Sequence, residues 1–350
     1  TGQVVTHGPY AFGMYALNDS FVGNFGDGVV RTWGKRSHGM VASDDSWAVN
    51  TGTAATRNDD SFGMYALNDS FVGNFGDGVV RTWGTRSHGM VVSDDSRAVN
   101  TGTVATRNDD SYGMYALNDS FVGNFGDGVV RTWGKGSHGM VADKESEARN
   151  KGTVITSGDY SYGMYALNDS FVGNLGDGVV RTRGKGSHGM VADKESEAWN
   201  EGTIITRGDD AFGMLVDDNS YGENSGSITT RGSRAHGMLV ADDSYGENSG
   251  FITTHGSGSY GMMAENSEVY NLVSGIIATG GPNAFGMYAA HDAKAFNEGN
   301  VETGGDGSHG MAASGGSEVH NLESGTVATE GDEAHGMFAE LDSEAFNEGE

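Results

Sequence analysis

The dipeptide Gly-Met returns fourteen times along the chain, with its methionines at Met14, Met40, Met64, Met90, Met114, Met140, Met164, Met190, Met214, Met238, Met262, Met287, Met311 and Met337. Successive methionines stand 24 to 26 residues apart. That period belongs to stacked solenoid coils; it is too short for a propeller blade or for most paired-helix repeats. Each unit reads roughly aromatic-or-His, Gly, Met, x, Ala, then Ser, Ala or Val, Asn, Gly, Val or Ile, Thr, and its apolar positions fall two apart, the period of a strand rather than of a helix. The spacing therefore predicts an all-β chain, a parallel β-solenoid of about fourteen coils with one coil per repeat.

A larger unit of 50 residues lies over the coil. Gly13 to Gly34 recurs unchanged at Gly63 to Gly84 and at Gly113 to Gly134, and a fourth copy carries Leu175 and Arg183 instead. Residues 1–212 thus hold four near-identical double coils, and residues 213–350 hold diverged coils of the same single array. The first coil of each pair carries two extra residues in Asn-Phe-Gly-Asp-Gly, as at Asn24 to Gly28, which belong at a turn. From about Ala211 onward that insert is expected to be absent until a similar lengthening near Asn321.

Three short strands are expected per coil: around Met14 and Ala16, from Ser20 to Asn24, and around Val30 and Thr32. With Met14, Ala16, Val22, Val30 and Thr32 pointing inward, each stacks on its equivalent one coil later, about 4.8 Å along the axis. The Val30 column continues through Ala54, Val80, Val104, Val130, Val154, Val180, Ile204, Ile228, Ile252, Ile277, Val301 and Val327, a β-branched choice that strands favour. Thr32, Thr56, Thr82 and Thr106 alternate with it and so face the core rather than forming an ice-binding plane. Gly26, Gly52, Gly76 and Gly102 are assigned to corners needing positive φ, and Asn24, Asn50, Asn74 and Asn100 to hydrogen bonds along their own column. Fourteen such coils would make a rod on the order of 65 to 70 Å long.

Composition narrows the function. Only 36% of the chain is hydrophobic and 59 residues are glycine, so a thin, ordered core fits better than a thick globular one. Two prolines exclude collagen. The net charge of −27 repels nucleic acid and anionic lipid, and no apolar run approaches the roughly 20 residues of a membrane helix. The chain is read as soluble, with no nucleic-acid partner and no transmembrane segment. Absence of cysteine removes disulfides and thiolate metal sites.

Three features invite a functional reading. The residue two before each methionine alternates between aromatic and histidine (Phe12, His38, Phe62, His88, Tyr112, His138, Tyr162, His188). Two coils separate successive histidines, about 10 Å, too far to share one ion, so aromatic stacking is the better account. The acidic turns Asn18-Asp19-Ser20, Ser43-Asp44-Asp45-Ser46 and Asp143-Lys144-Glu145-Ser146 read as a solvated face; calcium between stacked carboxylates is the alternative, and neither an EF-hand loop nor a calcium-binding nonapeptide accompanies them. No cofactor is expected. Arg31 and Trp33, Arg81 and Trp83, Arg131 and Trp133 recur every 50 residues as a candidate outward contact stripe for carbohydrate or a neighbouring copy; each tryptophan covering a corner of its own coil is the plainer reading. No coil lengthens enough to build a cleft, so a catalytic role, including a carbohydrate-active one, is not expected.

The phrases Asn100-Thr101-Gly102-Thr103-Val104-Ala105-Thr106, Asn200-Glu201-Gly202-Thr203-Ile204-Ile205-Thr206 and Ala334-His335-Gly336-Met337 resemble the repeats of bacterial autotransporter passenger domains and related surface adhesins. The resemblance covers essentially the whole chain. It implies a right-handed β-helix, export through the cell envelope, and a structural or adhesive role at the bacterial cell surface or in the extracellular medium: adhesion, autoaggregation or biofilm. The expected partners are other copies of the chain or host and cell-surface glycans and proteins. A second reading is a self-assembling extracellular filament stacked head to tail, since the chain starts and stops within a coil, at Thr1 and Glu350, with no evident polar cap.

Overall fold

Alternation of inward and outward residues over four positions, punctuated by Gly, Asn and Asp, leaves room only for short strands and tight corners. The computed structural model describes residues 2–349; Thr1 and Glu350, the two ends that the sequence places within a coil, lie outside the described residues. It holds 42 strands, three to a coil, and no helix among the described residues. The first are β1 (Gln3–Thr6), β2 (Met14–Leu17), β3 (Phe21–Asn24), β4 (Val29–Thr32), β5 (Met40–Ser43) and β6 (Trp47–Asn50). The chain divides into two compact units, Thr1–Arg181 and Thr182–Glu350, each built on the same plan.

Within each unit every strand pairs in parallel with the strand three later, so three sheets run side by side. We call them the threonine sheet (β1, β4 and their successors), the methionine sheet (β2, β5) and the asparagine sheet (β3, β6). In the first unit Met14 faces Met40 and Met40 faces Met64, and Val30, Ala54, Val80 and Val104 are successive partners. In the second, Met214, Met238 and Met262 line up, as do Ile228, Ile252, Ile277 and Val301. The expected columns and inward directions hold: Met40, Ala42, Ala48, Val72 and Val80 are all 0% exposed, and Thr56 and Thr106 are fully buried. Burial of each such Val or Met side chain contributes about 1.5–3 kcal/mol.

A thin core leaves many backbone groups near its corners, and these are satisfied by ladders of polar side chains. The asparagine ladder runs Nδ2 to Oδ1 from Asn24 to Asn50 (2.8 Å), Asn74 (2.7 Å) and Asn100 (2.8 Å), and again from Asn200 through Asn224 (2.7 Å) and Asn248 (2.7 Å). Two serine ladders occupy the other corners. The amide of Ser37 donates to Ser61 Oγ and that of Ser61 to Ser87 Oγ, both at 3.1 Å; Ser20, Ser46 and Ser70 repeat the arrangement.

Glycine works differently from the expectation at half of the assigned corners. Gly26 and Gly76 do take positive φ, at 57° and 56°. Gly52 and Gly102 do not; a Cβ on Gly52 would lie 2.3 Å from the Gly28 carbonyl oxygen and one on Gly102 at 2.3 Å from that of Gly78, so close approach between coils excludes a side chain there. The same cause explains the Gly-Met dipeptide, since a Cβ on Gly89 would meet Val104 Cγ1 at 2.2 Å and Gly113 O at 2.5 Å. The four-residue turn also returns earlier than expected: Leu272–Gly275 closes with the Gly275 amide on the Leu272 carbonyl (2.7 Å), as Leu322–Gly325 does later.

Candidate functional site

Because inward positions are committed to the ladders, chemistry able to meet a partner sits on outward positions. On the threonine sheet of the first unit, the outward column after each threonine reads Trp33, Arg57, Trp83, Arg107, Trp133, and the column two residues earlier reads Arg31, Ala55, Arg81, Ala105, Arg131. Indole and guanidinium therefore alternate coil by coil. Arg57 Cζ lies 4.5 Å from the centre of the Trp33 ring and 5.2 Å from that of Trp83; Arg107 lies 5.5 Å and Arg131 5.8 Å from Trp133. Contacts of this kind contribute about 0.5–1 kcal/mol at an exposed site.

Structure thus brings together all six residues of the sequence-read stripe and adds Arg57 and Arg107, which a reading along the 50-residue copy misses because their neighbours lie 24 to 26 residues away. Trp33 and Trp133 keep 36% and 39% of their surface exposed and Trp83 is half-buried. The small Ala55 and Ala105 leave grooves between the arginines, of about 190 Å³ beside Trp33 and Trp83 and about 350 Å³ beside Trp83 and Trp133. None of Arg31, Arg57, Arg81, Arg107 and Arg131 has a carboxylate in ion-pair range among the described residues. The nearby turn differs: Arg86 Nε–H donates to Asp60 at 2.9 Å, and this bond, with Lys35 and Arg36 nearby, holds the Asp60 carboxyl below the usual carboxylate range.

The histidine column is a sandwich. His38 lies 5.5 Å from Phe12 and 4.6 Å from Phe62, and His88 lies 5.3 Å from Phe62 and 4.6 Å from Tyr112. His38 Nδ1 accepts the Phe62 amide at 3.0 Å and His88 Nδ1 accepts the Tyr112 amide at 2.9 Å, which assigns the proton of each neutral ring to Nε2. Burial pushes both imidazoles down to about 4. These rings are neutral stacking elements at neutral pH.

The acidic turns have a backbone cause. Asn18 and Asp19 take φ of 54° and 56°, Asp44 and Asp45 of 56° and 58°, a left-handed pair for which Asn and Asp are the best non-glycine residues. Lys144 and Glu145 adopt the same pair at 55° and 59°. Among the described residues no group of three or more His, Asp or Glu side chains converges as metal ligands would. In the second unit the outward asparagine sheet carries a surface that the repeat gave no reason to single out: Tyr221 and Tyr245 stack at 5.8 Å, and both phenols donate to Glu247, at 3.0 and 2.8 Å.

The model of one protein family, the BigA third pectate lyase-like domain, matches residues 114–210, 158–272 and 262–350. Among solved structures, the chain is similar to one in the cryo-EM structure of the Vag8–C1 inhibitor complex, with a TM-score of 0.73 and 13% identity over 99% of each chain, a likeness of fold. No curated protein matches. The two matches bear out the resemblance to autotransporter passenger β-helix repeats.

Proposed function

Since the chain belongs to the family of the BigA third pectate lyase-like domain, we propose that it is a non-catalytic β-helix displayed on or shed from a bacterial cell surface, where it serves as a structural and adhesive element in adhesion, autoaggregation or biofilm. The observation that carries this reading is the division of labour within the coil. Inward columns repeat in every coil, while outward positions change and gather exposed aromatic and cationic side chains in one stripe. A repeated, shallow face suits multivalent contact, in which many weak contacts add, better than it suits turnover of a single enclosed substrate. Partners of this kind are other copies of the chain or host glycans and proteins; the Vag8 structure, a complex with C1 inhibitor, is a case of a similar fold holding a protein.

The test is display of the chain on bacterial cells through a heterologous translocator. Surface labelling of intact cells, with faster settling or firmer attachment to a glycan or protein layer than control cells show, is the expected result. A chain that reaches the surface and changes neither settling nor attachment contradicts the adhesive reading.

A further inference from the structure

Each coil of the first unit carries a second repeated charge, at the one corner that does not border the threonine sheet. The left-handed turn between the methionine and asparagine sheets places Asp19, Asp45, Asp69, Asp95 and Asp119 in a row, one carboxylate per coil, all exposed. None of the five is in ion-pair range of a cation among the described residues. On the threonine sheet Arg31, Arg57, Arg81, Arg107 and Arg131 likewise give one unpaired guanidinium per coil. The stripe is bordered by Asp27, Asp77 and Asp127 at one corner and by Asp59, Asp60, Asp109 and Asp110 at the other, and of these Asp60 is occupied by Arg86.

We propose that this face is the docking surface for a second copy of the same chain, which inserts its acidic corner between the arginines, carboxylates entering the grooves over Ala55 and Ala105. Two arguments favour this occupant. Charge is complementary row to row, guanidinium to carboxylate. The periods also match without adjustment, because both rows advance by the same coil, about 4.8 Å per step, and the two-column arrangement of the arginines returns every second coil, so every bond made at one coil is repeated two coils on. A polymer of unrelated period has no such match, and densely charged nucleic acid meets the flanking aspartates. The contact is heterologous: each chain that docks leaves its own unused face or corner free, so addition does not close after two copies.

This inference deepens the adhesive reading and rests on it, naming the partner as self. It is tested on the full chain by sedimentation velocity across a concentration series, at about 50 mM and about 500 mM salt. Association that weakens at high salt is expected. A face variant (Arg57→Glu, Arg81→Glu, Arg107→Glu) and a corner variant (Asp45→Asn, Asp69→Asn, Asp95→Asn) should each associate about tenfold more weakly or worse, with far-UV circular dichroism unchanged. Asparagine is suited to that turn, as Asn219 takes φ 58° at the equivalent position. Mixed, the two variants should form one-to-one dimers and nothing larger, because each keeps one half of the contact. Three results overturn the proposal: a wild-type chain monomeric at low salt, a face variant that associates as the wild type does, or loss of heparin binding in the face variant with self-association intact, which would give the stripe to an acidic glycan. A monomeric chain whose displaying cells still attach removes self-docking alone; cells that neither clump nor attach remove the adhesive reading as well.

Discussion

The threonine sheet presents different outward faces in the two units over the same inward columns. In Thr1–Arg181 its outward positions include Arg31, Trp33, Arg57, Arg81, Trp83, Arg107, Arg131 and Trp133, with Ala55 and Ala105 between them; Thr182–Glu350 begins with Arg183, Arg207 and Arg231 at such positions and changes towards its end to Ala278, Gly280, Glu302, Gly304, Ala328 and Glu330. Inward, Val30, Ala54, Val80 and Val104 correspond to Ile228, Ile252, Ile277 and Val301, every one fully buried. Towards the end of the second unit charge has reversed outside while shape and polarity have held inside. The lesson is that packing and ladder bonds restrict the inward residues, whereas outward ones are restricted only by what they meet.

That contrast can be broken from the inside first. Gly89→Ala puts a Cβ against Gly113 O and Val104 Cγ1, and the expected cost is about 3 kcal/mol or more, read as a lowered midpoint in urea. A tolerated alanine there contradicts close coil approach as the reason for the Gly-Met dipeptide. Asn100→Ala removes a donor to Asn124 Oδ1 (2.8 Å) and an acceptor for Asn74 Nδ2 (2.8 Å), both buried. A loss of about 2–3 kcal/mol is expected, because the buried Asn124 Oδ1 is left without its donor and Asn74 Nδ2 keeps only the Gly78 and Thr103 carbonyls.

Acid gives a prediction of similar size. The unfolded chain protonates its histidines below the ordinary value of 6.5, but burial holds His88 and His138 down to about 4 in the fold. Their contribution is complete above pH 6.5 and is lost as pH falls from 6.5 to 4, by about 3 kcal/mol for each histidine at the lower end. His88→Phe keeps the stack and should flatten that part of the stability profile relative to wild type; an unchanged slope contradicts the neutral sandwich.

A smaller effect separates two coils by a single hydroxyl. Thr254 Oγ1 donates to the Ser259 carbonyl at 2.7 Å, whereas Thr106 Oγ1 is buried without a partner. Thr254→Val should cost about 1 kcal/mol and Thr106→Val should be neutral or stabilising, measured by thermal melting. Asn58 and Asn108 stand two residues after the unpaired Thr56 and Thr106, where the coils of Thr32, Thr82 and Thr254 have Gly34, Gly84 and Gly256; Thr6, also without a partner, is followed by Gly8. Smallest of all, Arg57→Ala should move stability by no more than about 0.5–1 kcal/mol, since it removes only exposed cation–π contacts.

What the sequence reveals follows the same division. The inward columns are legible because two periods coincide on them, two residues along the strand and 24 to 26 along the chain, and register follows from matching methionines and valines. The asparagine ladder is legible for the same reason. The serine ladders are not, since Ser37 or Ser46 looks like any polar turn residue until its hydroxyl is seen to take an amide from the neighbouring coil. Gly52 is recognisable as necessary but not for the right cause, because sequence does not distinguish positive φ from close approach. The stripe was half visible: similarity points to Trp83 as the counterpart of Trp33, but the nearest neighbour in space is Arg57, one coil on, in a sequence that looks different.

Each 24- to 26-residue repeat is one coil, placing equivalent residues one strand spacing apart. Since the chain has no cysteine, paired spin labels can be introduced at outward positions of one column, Arg31→Cys with Arg131→Cys and Arg31→Cys with Ile155→Cys, and their separation measured by double electron–electron resonance. Four and five coil steps give backbone separations of about 19 and 24 Å, so the two label distances should differ by one step, about 4.8 Å. Equal distances, or a difference far from one strand spacing, would contradict the solenoid at its root.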